Sequence, residues 1–345
     1  MSEYRADPVT GHWRVVAEGR LARPNEYIAE EPRPPPDEQC PFCEGHEDRT
    51  PPEVDAVRPG NGPANGSGWT VRVIPNRYPT VSFEPIDPIE EIPHSLVRRP
   101  GTGVHEVIIE SPRHAPALPY LPADHLREVF RMFRKRVRAA SVRPSAGAVV
   151  LFENWGPESG GTLWHPHAQL VASDVPLPRI EEELGAFRRH AGTAGSGCLL
   201  EAVVAVETAE ATRLVASDAL FDVVAPFGSE HPYELWIVPH RHTPSFADAN
   251  DSEVDRLGAL LPSLLRALVT IRPRLSYNWF VHGVRADRTG TGDFHWHVEV
   301  APRLVRPDGF ELAAGTAVNP VSPESAAAAV RSALAEDGQA GPRKR

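Results

Sequence analysis

The run Leu163-Trp164-His165-Pro166-His167-Ala168-Gln169 places two imidazoles and a carboxamide at alternate positions. Pro166 removes a backbone donor and biases His165 toward an extended conformation. In an extended chain successive side chains point to opposite faces, so His165, His167 and Gln169 share one face. Pro166, Ala168, Leu170 and Ala172 share the other. An imidazole nitrogen can attack phosphorus and hold it covalently. An amide N–H beside it can stabilise the charge that develops on the phosphoryl oxygens. The pattern therefore points to phosphoryl chemistry; the plainer alternative is a polar strand edge that carries its histidines by chance.

Such a strand needs neighbours, and the chain supplies a second version of them. Aligned on itself, HEVIIESPRH (105–114) falls on YELWIVPHRH (233–242), which matches Glu106 with Glu234, Arg113 with Arg241 and His114 with His242. Beyond each turn the apolar positions keep phase: Leu126 with Val254, Val129 with Leu257, Met132 with Leu260, Phe133 with Leu261 and Val137 with Leu265. That spacing is an amphipathic helix in both copies. Further on, HPHAQ meets His295-Trp296-His297-Val298-Glu299. Strand, turn, helix and a strand carrying His-x-His, twice in the same order, is an internal duplication. Residues 24–39 and 49–68 read as Pro/Gly-rich loops, 180–190 as a helix, 323–336 as a C-terminal helix started by Pro323, and 337–345 as a disordered tail.

Composition narrows the classes. The 345 residues suffice for two units, and 41% apolar with 24% charged residues is a soluble globular balance. A net charge of −10 argues against nucleic acid or an anionic membrane as partner. There is no stretch of about 20 apolar residues and no signal-peptide pattern at the N-terminus, which points to the cytoplasm. Lys135 and Lys344 are the only lysines and no GxxxxGK[ST] loop occurs, so P-loop and Schiff-base chemistry are disfavoured. Cys40-Pro41-Phe42-Cys43 reads as a metal half-site rather than part of a disulfide framework, and Cys198 stands alone.

CPFC (40–43), SPRH (111–114), FENWGPESGGTLWHPHAQ (152–169) and FHWHVEVAP (294–302) follow one another in order. With these the chain resembles the galactose-1-phosphate uridylyltransferase-type proteins, the transferase branch of the histidine-triad superfamily. The resemblance spans residues 6–320 and includes DPVTGHWRVVAEGRLARP (7–24), PNRYP (75–79) and GFELAAGTAVNP (309–320). It implies an α+β chain with a duplicated histidine-triad fold, antiparallel half-barrel sheets and flanking helices. The units expected are residues 1–178 with the zinc site and nucleophile, residues 179–322 as the second histidine-triad half, and residues 323–345 as a C-terminal helix and tail.

The resemblance also implies roles. His167 becomes the nucleophile that takes a nucleoside monophosphate, UMP in the first instance, from a nucleoside-diphosphate sugar and passes it to a sugar 1-phosphate. Gln169 holds the phosphoryl oxygens. Arg20, Arg23, Asn76, Asn154, Gly161 and Thr162 contact the nucleotide and its phosphates, and Phe310 and Glu311 lie in the acceptor segment. Cys40, Cys43, His114 and His165 match a closed structural zinc set. Glu182, His282, His295 and His297 match a second metal site, iron or zinc, with the carboxylate chosen from Glu181, Glu182 and Glu183. A homodimer is implied as well. Departures touch the acceptor: Phe310-Glu311 stands where galactose enzymes carry Tyr-Glu, Ala317 where a glutamine is expected, and Arg77 at a position acidic in some of them. Three readings follow: transfer between sugar phosphates, a phosphorylase that splits ADP-glucose or a dinucleoside polyphosphate with inorganic phosphate, and a non-catalytic nucleotide-binding protein.

Overall fold

Ten strands of this protein lie side by side in one antiparallel sheet, and their order is a mirror image about its centre. The structure, a computed structural model, describes residues 2–18, 39–82, 101–114, 117–142, 148–174, 177–193, 197–285 and 294–340. The first copy contributes β3 (Asp55–Val57), β4 (Val71–Pro75), β5 (Gly103–Ile109), β6 (Ala148–Trp155) and β7 (His167–Ser173). The second contributes β8 (Leu214–Ser217), β9 (Phe221–Val224), β10 (Leu235–Pro239), β11 (Tyr277–His282) and β12 (His297–Pro302). The order is β3-β4-β5-β7-β6-β11-β12-β10-β9-β8, so each strand of one copy has its counterpart at the mirrored place. The copies meet at the β6–β11 seam, where Phe152 faces Phe280 and Asn154 faces Asn278. Apart from this sheet, β1 (Glu3–Ala6) and β2 (Trp13–Val16) form a hairpin that β13 (Val318–Asn319) joins in parallel.

The helices take the expected periodicity. In α1 (Ala123–Ser141) Leu126, Val129, Met132, Phe133 and Val137 are buried, and in α4 (Asp251–Ile271) so are Val254, Leu257, Leu260, Leu261 and Leu265. The two helices cover one face of the sheet, over Trp279 and Trp296. They approach closely at Gly258, where an added Cβ would stand 3.3 Å from the Phe130 ring. Asn250 and Glu253 form a reciprocal capping box that starts α4. The opposite face of the sheet, left open by α1 and α4, carries His167 and Gln169.

Two elements differ from the sequence expectation, and a third has no counterpart in it. The terminal helix α6 (Pro323–Ala340) continues through residues read as tail, because Arg266 Nε donates to Asp337 at 2.9 Å and holds that turn against α4. The helix α3 (Leu199–Glu210) has no apolar stripe of simple period, with Val206 exposed; it buries Leu200 and Val204 against Ile180, Leu184 and Phe187 of α2 (Pro178–Ala191). Strand β3 arises inside the Pro/Gly-rich stretch 49–68, where three residues are too few to show a period. At the far edge β8 carries a bulge between Leu214 and Ala216, and Arg331 Nη1 donates to the Leu214 carbonyl.

Directly behind the histidine strand, Glu110 and Glu153 are buried on the helix-covered side. Glu153 stands between Ala168 and Trp279 in register, and Trp279 Nε1 donates to its Oε2. Both carboxylate oxygens of Glu110 and Oε1 of Glu153 lack a hydrogen-bond partner. Burial pushes the Glu153 carboxyl up to about 8. A carboxyl raised in this way binds its proton more tightly folded than unfolded. Its contribution to stability is therefore complete below about 4.5 and lost as the pH rises through about 8. Glu153→Gln should accordingly gain melting temperature relative to wild type at pH 9 compared with pH 5. An identical difference at the two pH values, measured by differential scanning calorimetry, would refute this.

Candidate active site and metal clusters

The central strand β7 runs between β5 and β6, with His167 opposite Ile109 and Gln169 opposite Val107 and Phe152. Ala168, Leu170 and Ala172 sink into the main core, as the alternation requires, and leave His167 and Gln169 on the open face. His165 precedes the strand, and its ring turns to the cysteine loop.

There the expected four residues converge. Cys40, Cys43, His114 and His165 offer ligand atoms that all lie within 4.8 Å of one another. His165 Nδ1 is 3.6 Å from Cys40 Sγ and 3.7 Å from Cys43 Sγ, and His114 Nδ1 is 3.7 Å from Cys43 Sγ. A tetrahedral zinc with ordinary bond lengths separates sulfur and nitrogen by about 3.6 Å, so the set fits that metal. His165 Nε2–H donates to the Ser111 carbonyl at 2.7 Å, which leaves the Nδ1 lone pair on the cysteine side. Burial pushes the His165 imidazole down to about 3, so it stays neutral and able to ligate. Phe42, between the two cysteines, places its ring edge-on to His167, with centroids 5.2 Å apart. The loop thus touches the segment 165–167 twice, at the His165 ring and through the packed Phe42 ring.

His167 Nδ1–H donates to the carbonyl of His165 at 2.7 Å. A neutral imidazole has one ring proton, so Nε2 keeps its lone pair. Burial holds the His167 imidazole below its usual range. The result is a neutral, oriented imidazole whose Nε2 carries its lone pair. Beside it, Gln169 Oε1 lies 3.4 Å from Asn76 Nδ2. Asn154 Oδ1 accepts from Asn278 Nδ2 at 2.6 Å, and Asn278 Oδ1 accepts from Arg303 Nε at 2.5 Å. Asn278 and Arg303, from the second copy, orient Asn154 across the seam; nothing local in their sequence announces this. Gly161 sits where an added Cβ would stand 2.9 Å from the carbonyl oxygens of Asn154 and Gly156, so the turn itself needs a glycine there. Thr162 is exposed. Arg20 and Arg23 lie outside the described residues.

The structure rearranges the other expectations. Glu183, not Glu182, gathers with His282 and His297. Ile180, Glu183, Leu184 and Phe187 form the buried face of α2, whereas Glu182 faces away and accepts from His12 Nε2 at 2.7 Å. The stripe begun by Ile180 and Leu184 was the signal for Glu183. His282 Nδ1 lies 2.8 Å from the Glu183 carboxylate, and the rings of His282 and His297 stack at 4.6 Å. His295 leaves this group and joins Cys198 and His242 in another, with Cys198 Sγ 3.6 Å from His295 Nδ1. Glu201 Oε1 is 3.8 Å from His242 Nδ1, so Cys198-x-x-Glu201 stands where the first copy has Cys40-x-x-Cys43. Phe310 is exposed on α5 (Gly309–Ala314), and the Glu311 carboxylate accepts from the Asp308 N–H at 3.0 Å as part of that helix's capping box.

A duplicated sheet with one oriented His-x-Gln strand is here the frame of an enzyme of the nucleotidyltransferase type. The chain belongs to the galactose-1-phosphate uridyl transferase family, whose N-terminal domain model matches residues 1–176. It is 29% identical to ADP-glucose phosphorylase of Arabidopsis thaliana over 338 residues, which cover 95% of this chain and 92% of that one. It is 26% identical to galactose-1-phosphate uridylyltransferase of Thermotoga maritima over 344 residues, covering 96% and 98% of the two chains. The crystal structure of the Arabidopsis thaliana phosphorylase with bound ADP-glucose superposes with a TM-score of 0.79 at 28% identity, over 96% of this chain and 98% of that one. A uridylyltransferase structure superposes with a TM-score of 0.75, also at 28% identity, over 97% and 99%.

Two measurements test the clusters. Cys43→Ser should cost one equivalent of bound metal by elemental analysis and lower the melting temperature, because a closed Cys/His site contributes folding energy. A metal-free wild type of equal stability would remove that assignment. Glu183→Gln should reduce metal content while Glu182→Gln leaves it unchanged; the reverse order would restore Glu182 as the ligand.

Proposed function

We propose that the protein transfers a nucleoside monophosphate, UMP, from a nucleoside-diphosphate sugar to a sugar 1-phosphate through a nucleotidyl-His167 intermediate. The observation that carries this is the His167 tautomer: Nδ1–H is held by the His165 carbonyl and Nε2 is left as the attacking atom. In the first step Nε2 bonds to the α-phosphorus and the bond to the bridging oxygen breaks, releasing the sugar 1-phosphate. In the second an oxygen of the acceptor phosphate attacks the same phosphorus, the P–N bond breaks, and His167 regains its lone pair. The covalent step replaces one encounter of two anions by two single displacements. While the nucleotide is attached the imidazole is cationic, and the His165 carbonyl is the dipole that stabilises its Nδ1–H.

Gln169 serves the phosphoryl oxygens, Asn76 and Asn154 the nucleotide, and Gly161 and Thr162 the phosphate-side loop. Zinc at Cys40, Cys43, His114 and His165, when bound, fixes the loop that aims His167. A second metal, iron or zinc, is proposed at Glu183, His282 and His297. The free cysteines, including the adjacent Cys40 and Cys43, suit a reducing cytoplasm. Homodimeric assembly is carried by the family resemblance alone.

A second reading, phosphorolysis of ADP-glucose or a dinucleoside polyphosphate with inorganic phosphate as acceptor, is favoured by one observation. The Glu311 carboxylate is drawn through Oε2 onto the Asp308 N–H at the start of its own helix rather than projected toward an acceptor sugar. Both readings use His167 identically. Intact-mass spectrometry after incubation with UDP-, ADP-, GDP- and CDP-sugars should reveal one nucleotidyl adduct. Its discharge by sugar phosphates supports transfer, and its discharge by phosphate alone supports phosphorolysis. His167→Ala should lose the adduct and turnover while keeping the fold. Activity within about tenfold of wild type would end the covalent-histidine reading.

A further inference from the structure

A carboxamide has nearly the same shape at its two ends, yet only the NH2 end can donate to a phosphoryl oxygen. Gln169 is useful in the proposed reaction in one of its two orientations, so something must choose between them. His105, on β5 diagonal to Gln169, is buried, and its Nε2 lies 2.9 Å from Gln169 Oε1. Its other nitrogen, Nδ1, lies 3.0 Å from the backbone N of Thr80. A backbone amide can only donate, so Nδ1 is an acceptor. The single proton of the neutral ring must then be on Nε2, which donates to Gln169 Oε1. Burial holds the His105 imidazole below its usual range and keeps it neutral.

Asn76 acts in the same sense. Its Oδ1 accepts from the Tyr78 N–H at 2.8 Å, which turns Nδ2 inward to 3.4 Å from Gln169 Oε1. Asn76 Nδ2 and His105 Nε2 are 3.0 Å apart as two donors converging on one oxygen. A flipped Gln169 would set its NH2 against both. We propose that His105 is a positioning residue: through Nε2–H it binds the Gln169 carbonyl and so directs the Gln169 NH2 toward the phosphoryl oxygens of the substrate. The choice is made ultimately by the Thr80 backbone N–H, two hydrogen bonds away. The inference rests on the His167 reading, since it is that reaction the amide serves.

The substitutions separate this role from a structural one. His105→Gln reaches the Nε2 position with a donor, whereas His105→Asn reaches only the Nδ1 position and can satisfy Thr80 but not Gln169. Single-turnover formation of the nucleotidyl adduct from UDP-glucose and ADP-glucose should fall about 10- to 100-fold in His105→Phe and in His105→Asn, no more than loss of an oxyanion donor itself. His105→Gln should recover most of the rate. Asn rescuing better than Gln would mean that His105 merely anchors the Thr80 loop. In a Gln169→Ala background, His105→Phe should cause no further loss, because its effect passes through that side chain; additive losses would overturn the proposal. Without any substrate, long-range 1H–15N spectra of the whole wild-type protein should show His105 as the Nε2–H tautomer, and an Nδ1–H tautomer would overturn it. An adduct formed by His167→Ala would instead defeat the nucleophile assignment and leave the tautomer result standing.

Discussion

One residue joins the Cys/His cluster to the strand that carries His167 and Gln169. The ring of His165 turns its Nδ1 to Cys40 and Cys43, its Nε2–H is held by the Ser111 carbonyl, and its own carbonyl accepts the Nδ1–H of His167. Pro166 keeps that carbonyl and the next ring in the extended relation the bond requires. Movement of the cysteine loop would therefore reach the tautomer of His167 through a single peptide unit. The Cys/His cluster and the orientation of the His167 ring are two ends of the same short segment, so a group that holds the cluster also holds that ring.

The second copy has the same plan with different chemistry. His297 Nδ1 points to the His295 carbonyl at 3.1 Å, as His167 does to His165. Glu299 takes the place of Gln169, however, and Arg179 pairs with it at 2.6 Å. The guanidinium engages one oxygen of the Glu299 carboxylate, and an ionised carboxylate is an acceptor with no donor to offer a phosphate. The first copy keeps a neutral amide and an open face; the second has become a support. Its residues Asn278 and Arg303 reach back across the seam to orient Asn154, so the first copy depends on its relative for part of its geometry.

Local features of this chain were legible and distant ones were not. The phase of Leu126, Val129, Phe133 and their counterparts marked both helices, because a buried face imposes its own period. His165, Pro166, His167 and Gln169 could be placed on faces because alternation needs only a few residues. The family match names Glu182 from among Glu181, Glu182 and Glu183, but one-residue gaps near Pro176 and Pro178 shift its register, and an error of one residue turns a side chain from core to solvent. The family match groups His295 with His282 and His297, whereas in the fold its ring lies with Cys198 and His242. His105 carries no local mark at all: its role comes from a diagonal neighbour and a backbone amide in a loop.

The ends of the long sheet say something about company. An open edge of unpaired amides is a template on which another strand can add. Here one end is the three-residue β3, whose Asp55 is held by Lys135 at 2.8 Å. The other end, β8, is bulged, and Arg331 occupies its Leu214 carbonyl. Both termini of the ladder are short, kinked or chemically occupied. Growth of the ten strands into an eleventh is discouraged, and the sheet stays the length that the duplication made it.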